Sequence, residues 1–144
     1  GALAGQAGRI PLVFPVHPRT RARLQDFGLW DRLASAPGLA TREPLGYLEF
    51  MSLVTRARLV ITDSGGVQEE TSHLGVPCLT LRPNTERPVT SSQGGNQLVK
   101  PGELADKVGE VLAAPKPGPA QIELWDGRTA QRVAAVLREF APGS

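Results

Sequence analysis

The sequence holds 144 residues, 40% of them hydrophobic, which suits one domain with a moderate core and leaves too little for two. Its formal charge of +2 comes from 16 basic and 14 acidic side chains scattered along the chain. No basic stripe with interleaved aromatics is present, so nucleic acid is a poor partner. A single cysteine excludes an internal disulfide, two histidines without a second cysteine spell no metal-ligand cluster, and the apolar runs are far short of a membrane span. With no basic segment leading into an apolar core at the N-terminus, a cytoplasmic protein is the expectation.

In chain order, residues 1–8 are small and featureless. Residues 10–16 form the first clear strand, with Pro11 and Pro15 near its ends where a parallel strand tolerates them. His17 follows at the strand's carboxyl end, where ligands of open α/β sheets collect. Placement alone leaves it open between a structural role and ligand contact. Residues 19–27 read as a helix opened by Pro18 and stopped by Gly28, its arginines facing solvent. A weak strand at 38–41 and the loop Glu43-Pro-Leu-Gly46 come next. Tyr47, Phe50, Met51 and Val54 then recur at helical spacing, with Leu48 and Leu53 widening the stripe, so a helix core is expected.

The most informative stretch runs from Leu59 to Arg87. Its first residues are a short apolar β-branched run of the kind that fills a buried parallel strand. Asp63 and Ser64 are good helix N-caps, Gly65 and Gly66 allow a tight turn, and residues 67–74 can run as a helix toward Gly75 and Pro77. The first turn of such a helix leaves N–H groups unpaired at the positive end of the macrodipole, and the missing Cβ atoms let an anion approach. A glycine pair after a strand is by itself equally a plain turn. Glu70 in the helix can face a ligand's hydroxyls and Arg87, after the next strand, can reach the same crevice. Carboxylate for sugar hydroxyls and guanidinium for phosphate together suggest a nucleotide or nucleotide sugar. Cys78 lies in the apolar strand 78–81 and reads as a buried thiol.

Beyond Arg87, a short helix at 88–92, a strand at 96–99 and a helix at 102–113 with Leu104, Val108, Val111 and Leu112 on one face complete the sheet layer. Residues 115–119, with three prolines and a glycine, are a connector. The terminal helix, 128–140, carries Val133, Val136, Leu137 and Phe140 as its buried stripe. Strands alternating with helices at these intervals predict a single α/β domain over 1–144 with a Rossmann-like parallel sheet flanked by helices.

Thr62-Asp-Ser-Gly-Gly-Val-Gln-Glu-Glu70, Leu74-Gly-Val-Pro77 and Asn84-Thr-Glu-Arg-Pro88 resemble the signature of the non-hydrolysing UDP-N-acetylglucosamine 2-epimerases. Phe14-Pro-Val-His-Pro-Arg-Thr20, Glu43-Pro-Leu-Gly-Tyr-Leu-Glu-Phe50, Gly94-Gly-Asn96 and Trp125-Asp-Gly127 agree, in the family's order, from Phe14 to Arg132. The resemblance implies the carboxyl-terminal half of a glycosyltransferase-B-like fold, lacking its first and central strand. It implies reversible C2 inversion of UDP-N-acetylglucosamine to UDP-N-acetylmannosamine, by elimination and re-addition of UDP, in surface-polysaccharide synthesis.

By the same resemblance Ser64, Gly65 and Gly66 take the phosphates, Glu70 the ribose hydroxyls and Arg87 the charge developing on UDP. Leu45 and Phe50 hold the uracil, and His17 contacts the nucleotide-sugar region. No catalytic residue is assigned, because the family's acidic residues come from the missing amino-terminal half; Glu69 and Glu86 read as structural. No cofactor or metal is expected, and the whole protein commonly forms a homodimer. Gly95 stands where the family has threonine, which predicts weaker ordering of that loop. Rival readings are a non-catalytic UDP-sugar-binding module, and the donor half of a glycosyltransferase of the same architecture, against which Thr85-Glu-Arg-Pro88 argues.

Overall fold

The computed structural model describes residues 2–140, with side chains from residue 5 onward. Its strands pair only in parallel. β1 (Leu12–Pro15) lies beside β2 (Leu39–Arg42), with Leu12 opposite Leu39. A second ladder is formed by β3 (Val60–Thr62), β4 (Cys78–Thr80) and β5 (Asn96–Leu98), with Ile61 opposite Leu79 and Leu79 opposite Gln97. Parallel neighbours need long crossovers, and helices supply them. The helices are α1 (Ala2–Ala7), α2 (Pro18–Asp26), α3 (Trp30–Ala34), α4 (Tyr47–Arg56), α5 (Gly65–Leu74), α6 (Pro88–Ser92), α7 (Leu104–Ala113) and α8 (Thr129–Phe140).

The expected parallel α/β layering holds. Its sheet is parted: β1 and β3 are each paired along one edge only among the described residues, which agrees with the expectation of an absent central strand. The main core sits under the second ladder. Leu79, Val99, Leu104, Val108 and Val111 are buried there, with Leu59, Ile61, Leu81 and Leu112 packed against them. The i, i+4, i+7, i+8 spacing of the α7 residues turns all four toward the sheet. β4 is buried throughout because it has a strand on both sides and helices over its faces.

Local chemistry sets the element ends. His17 caps α2 by accepting the Arg19 N–H at its Nδ1, and Pro18 occupies the first turn, where a missing N–H costs nothing. Gly46 opens α4, its N–H donating to the Glu49 carboxylate at 3.1 Å. α5 stops at Gly75, whose φ of +66° is left-handed; a Cβ there would lie 2.4 Å from the Gly118 backbone, so both conformation and close approach require glycine.

Four sequence expectations are corrected. Residues 2–7 are helical and their end packs on α7, burying Gln6 and Ala7. Helix α3 was not anticipated, being one short turn too brief to show periodicity. Arg21 does not face solvent: its guanidinium lies 4.6 Å from the Trp30 ring centroid and 2.6 Å from Glu43, holding α2 to α3 and to the loop after β2. The apolar stripes of α4 and α8 are largely uncovered. Only Val54 of α4 is buried, while Leu48 is 81% and Phe140 83% exposed, as are Val133, Val136 and Leu137 in lesser degree. Amphipathic spacing specifies which face is apolar; it does not supply the neighbour that covers it.

Candidate functional site

The predicted site residues follow the carboxyl ends of parallel strands. His17 comes after β1, Leu45 after β2, Ser64, Gly65, Gly66 and Glu70 after β3, and Arg87 after β4. Within each ladder that brings them to one end of the sheet.

Ser64 is the N-cap of α5, in extended conformation, with its own N–H donating to Thr62 Oγ1 at 3.0 Å. Gly65 and Gly66 are the helix's first two residues. Neither has a positive φ, and a Cβ on either would meet no heavy atom within 4 Å. The fold therefore does not demand glycine at these positions. What glycine leaves is open space before the unpaired N–H groups of a ten-residue helix, the arrangement that receives an anion.

Two carboxylates of α5 face different neighbours. Glu69 Oε1 lies 3.1 Å from Arg87 Nε, so the arginine's edge is engaged and its two terminal nitrogens are left for another acceptor. The negative charge of Glu70 first, then its carboxylate as a hydrogen-bond acceptor and slight desolvation, raise the pKa of Tyr47 on α4. Glu86, expected to be structural, lies 3.6 Å from Arg82 on the exposed loop. His17 accepts through Nδ1, which leaves the proton of the neutral ring on Nε2, free to donate. It shares no hydrogen bond or ion pair with the other predicted site residues among those described. Phe50 is half-buried. Leu45, also half-buried, lines an open hollow of about 610 Å³ with Val13, Arg42, Leu48 and Leu53. That hollow touches neither the glycine turn nor Arg87.

Sequence reasoning missed the buried polar cluster behind the site. Gln68, Thr71, Ser72, Thr80, Thr90 and Asn96 are all at most 3% exposed. The Gln68 carbonyl accepts from Thr85 Oγ1 at 2.6 Å and Asn96 Nδ2 at 3.0 Å, while its amide donates to the Ser64 carbonyl at 3.3 Å. Asn96 donates also to Thr90 Oγ1 and accepts from Thr80 Oγ1. One signal was available. Gln68, Thr71 and Ser72 stand at i, i+3 and i+4, a polar stripe where a helix covering a sheet ordinarily presents apolar residues. Cys78 is buried as expected, and burial pushes its thiol pKa up against opposing hydrogen bonds from Thr71 and Thr80.

A parallel sheet, crossover helices and a glycine-opened helix at a strand's carboxyl end place the chain in the class of Rossmann-like α/β domains that take ligands at that end. The family model for UDP-N-acetylglucosamine 2-epimerase matches residues 1–138, and the chain belongs to that family. It is 54% identical over 88 residues to the UDP-N-acetylglucosamine 2-epimerase of Methanocaldococcus jannaschii, covering 61% of this chain and 24% of that protein. A UDP-N-acetylglucosamine 2-epimerase homolog of Methanococcus maripaludis is 38% identical over 131 residues, covering 90% of this chain and 36% of the relative.

Among solved structures, the M. jannaschii enzyme in complex with UDP-GlcNAc and UDP superposes with a TM-score of 0.80 at 39% identity, over 95% of this chain and 38% of that one. The Neisseria meningitidis enzyme bound to UDP-GlcNAc gives 0.77 at 29% identity, over 96% and 39%. The chain thus spans less than two fifths of the length of these relatives. Among the described residues, no helix is long and apolar enough to cross a membrane.

Proposed function

We propose that this chain is the UDP-binding half of a UDP-N-acetylglucosamine 2-epimerase and that it does not epimerise alone. The observation that carries the reading is the α5 N-terminus: two glycines that the fold does not require, open space before them, and Arg87 held beside the same helix by Glu69. Backbone N–H groups of Gly65 and Gly66, with the Ser64 hydroxyl, receive the diphosphate. Arg87 adds its terminal nitrogens as charge accumulates on departing UDP. Glu70 accepts from the ribose hydroxyls, Leu45 and Phe50 flank the uracil, and His17 donates through Nε2 toward the nucleotide sugar.

The family reaction eliminates UDP from C1 together with the C2 proton to give a glycal, then returns UDP to C1 while a proton is delivered to the opposite face of C2. Contacts that strengthen as the C–O bond breaks lower that barrier, and this half is furnished for them. Moving the proton at C2 needs an acid and a base aimed at the sugar; Glu69 and Glu86 are held by Arg87 and Arg82, and Glu70 is assigned to the ribose. The amino-terminal half supplies those groups. A homodimeric whole protein and residence in the cytoplasm belong to the same reading. Incubating the purified chain with UDP-N-acetylglucosamine and quantifying the C2 epimer tests it; no product above a buffer blank is expected, and turnover by the chain alone overturns the proposal.

A further inference from the structure

Arg87 is held at three points. Its backbone N–H donates to Thr85 Oγ1 at 2.9 Å, its carbonyl accepts from Thr90 Oγ1 at 2.7 Å, and its Nε faces Glu69. Both threonine hydroxyls lead to one buried pair of amides. Thr85 Oγ1 donates to Gln68 Oε1 at 2.6 Å, and Thr90 Oγ1 accepts from Asn96 Nδ2 at 3.1 Å. Gln68 and Asn96 are bonded to each other at 3.0 Å. The third contact of Gln68 is the Ser64 carbonyl, the cap of the glycine turn. One buried side chain therefore touches the anchors of both groups assigned to the diphosphate.

We infer that Gln68, acting through the hydroxyl of Thr85, is a positioning device that fixes Arg87 relative to the Ser64–Gly66 turn so that both meet one diphosphate. Neither residue touches the ligand. The physical basis is the cost of an unsatisfied buried amide: with Gln68 wholly buried, its carbonyl enforces the contact with Thr85 rather than tolerating alternatives. Thr85 is the exchangeable link. It is only half-buried, and its hydroxyl both donates inward and accepts from the Arg87 backbone. Without the hydroxyl the loop between β4 and α6 keeps its charge but loses its register, and the guanidinium samples positions in which it misses the phosphate.

This inference rests on the UDP site proposed above, and the test separates the two. UDP is titrated calorimetrically into the 144-residue chain and into Thr85→Val, Thr85→Ser, Arg87→Ala and the Thr85→Val/Arg87→Ala double variant, each first shown to melt cooperatively. Thr85→Val is expected to weaken UDP about 3- to 10-fold, the range set by one net hydrogen bond. Thr85→Ser restores binding, and Thr85→Val has no further effect once Arg87 is gone. Unchanged affinity in Thr85→Val, or an equal loss in the Arg87→Ala background, overturns the positioning role while leaving the UDP site intact. Absence of UDP binding by the unsubstituted chain overturns both. Thr85→Ala, which removes the same hydroxyl with less bulk, carries the test if Thr85→Val does not fold.

Discussion

The Arg87 guanidinium meets the Glu69 carboxylate through Nε, at 3.1 Å, with both side chains about four-tenths exposed. A pair so open to water adds little stability, on the order of 0.2–1 kcal/mol. Its consequence is directional, because engaging the Nε edge turns the two terminal nitrogens outward as a fork.

Arg87→Lys preserves the charge and removes the fork. A single ammonium cannot face Glu69 and a phosphate together, so UDP affinity is expected to fall by roughly 1–2 kcal/mol with little change in thermal midpoint. Calorimetry of the two proteins side by side checks this; equal affinities would show that only the charge matters.

Gly66→Ala separates folding from binding. The added methyl meets no protein atom and the φ is ordinary, so the variant is expected to be as stable as the parent or more so by about 0.4–1 kcal/mol. The same methyl stands where the phosphate must approach, and UDP binding is expected to drop more than about 10-fold, or ~1.4 kcal/mol. Urea melts and UDP titrations on one preparation report both; loss of stability without loss of binding contradicts the assignment.

Neighbouring glycines before β5 should respond in opposite ways. At Gly94 a Cβ would lie 2.4 Å from the Thr90 carbonyl and 2.5 Å from Ser72 Oγ, so Gly94→Ala forces backbone apart and is expected to cost at least ~2 kcal/mol. At Gly95 the nearest atoms are 3.9 Å away and φ is not positive. Gly95→Thr, restoring the family's residue, is expected to stabilise by about 0.4–1 kcal/mol through the unfolded chain. Denaturant midpoints for the two variants decide it.

The buried Cys78 thiol gives a pH signature. Its folded pKa is raised, so the folded chain holds that proton more tightly than the unfolded chain does. The contribution is complete below the unfolded thiol value of about 8.5 and is lost as pH rises through the folded value. Chemical denaturation from pH 7 to 10 is expected to show stability falling above about 8.5, with a shallower fall in Cys78→Ala. Identical slopes would remove the thiol from the account.

Much of this was legible in the residues. The β-branched run before Asp63, the glycine pair, Gly75 and the α7 spacing gave the second ladder and its core, because each is a local signal with one dominant reading. Apolar faces were readable as faces only: Leu48 and Phe140 carry the right spacing, but coverage depends on elements elsewhere. The Gln68–Thr85–Asn96 network was hidden for a related reason. Its partners are 17 and 28 residues apart along the chain, and only pairing of β3, β4 and β5 brings α5 beside both loops. His17 was readable as structural or as a ligand contact without a stated structural role, and the structure gives it one, as the N-cap of α2.

The most direct test is titration of UDP into the purified chain beside its Arg87→Ala variant. The account predicts saturable binding by the parent and a loss of about 10-fold or more in the variant, as removal of a charge-assisted contact entails. Cooperative melting with no detectable UDP binding by the parent would contradict it, since a folded chain would then present the glycine turn and Arg87 without a nucleotide site.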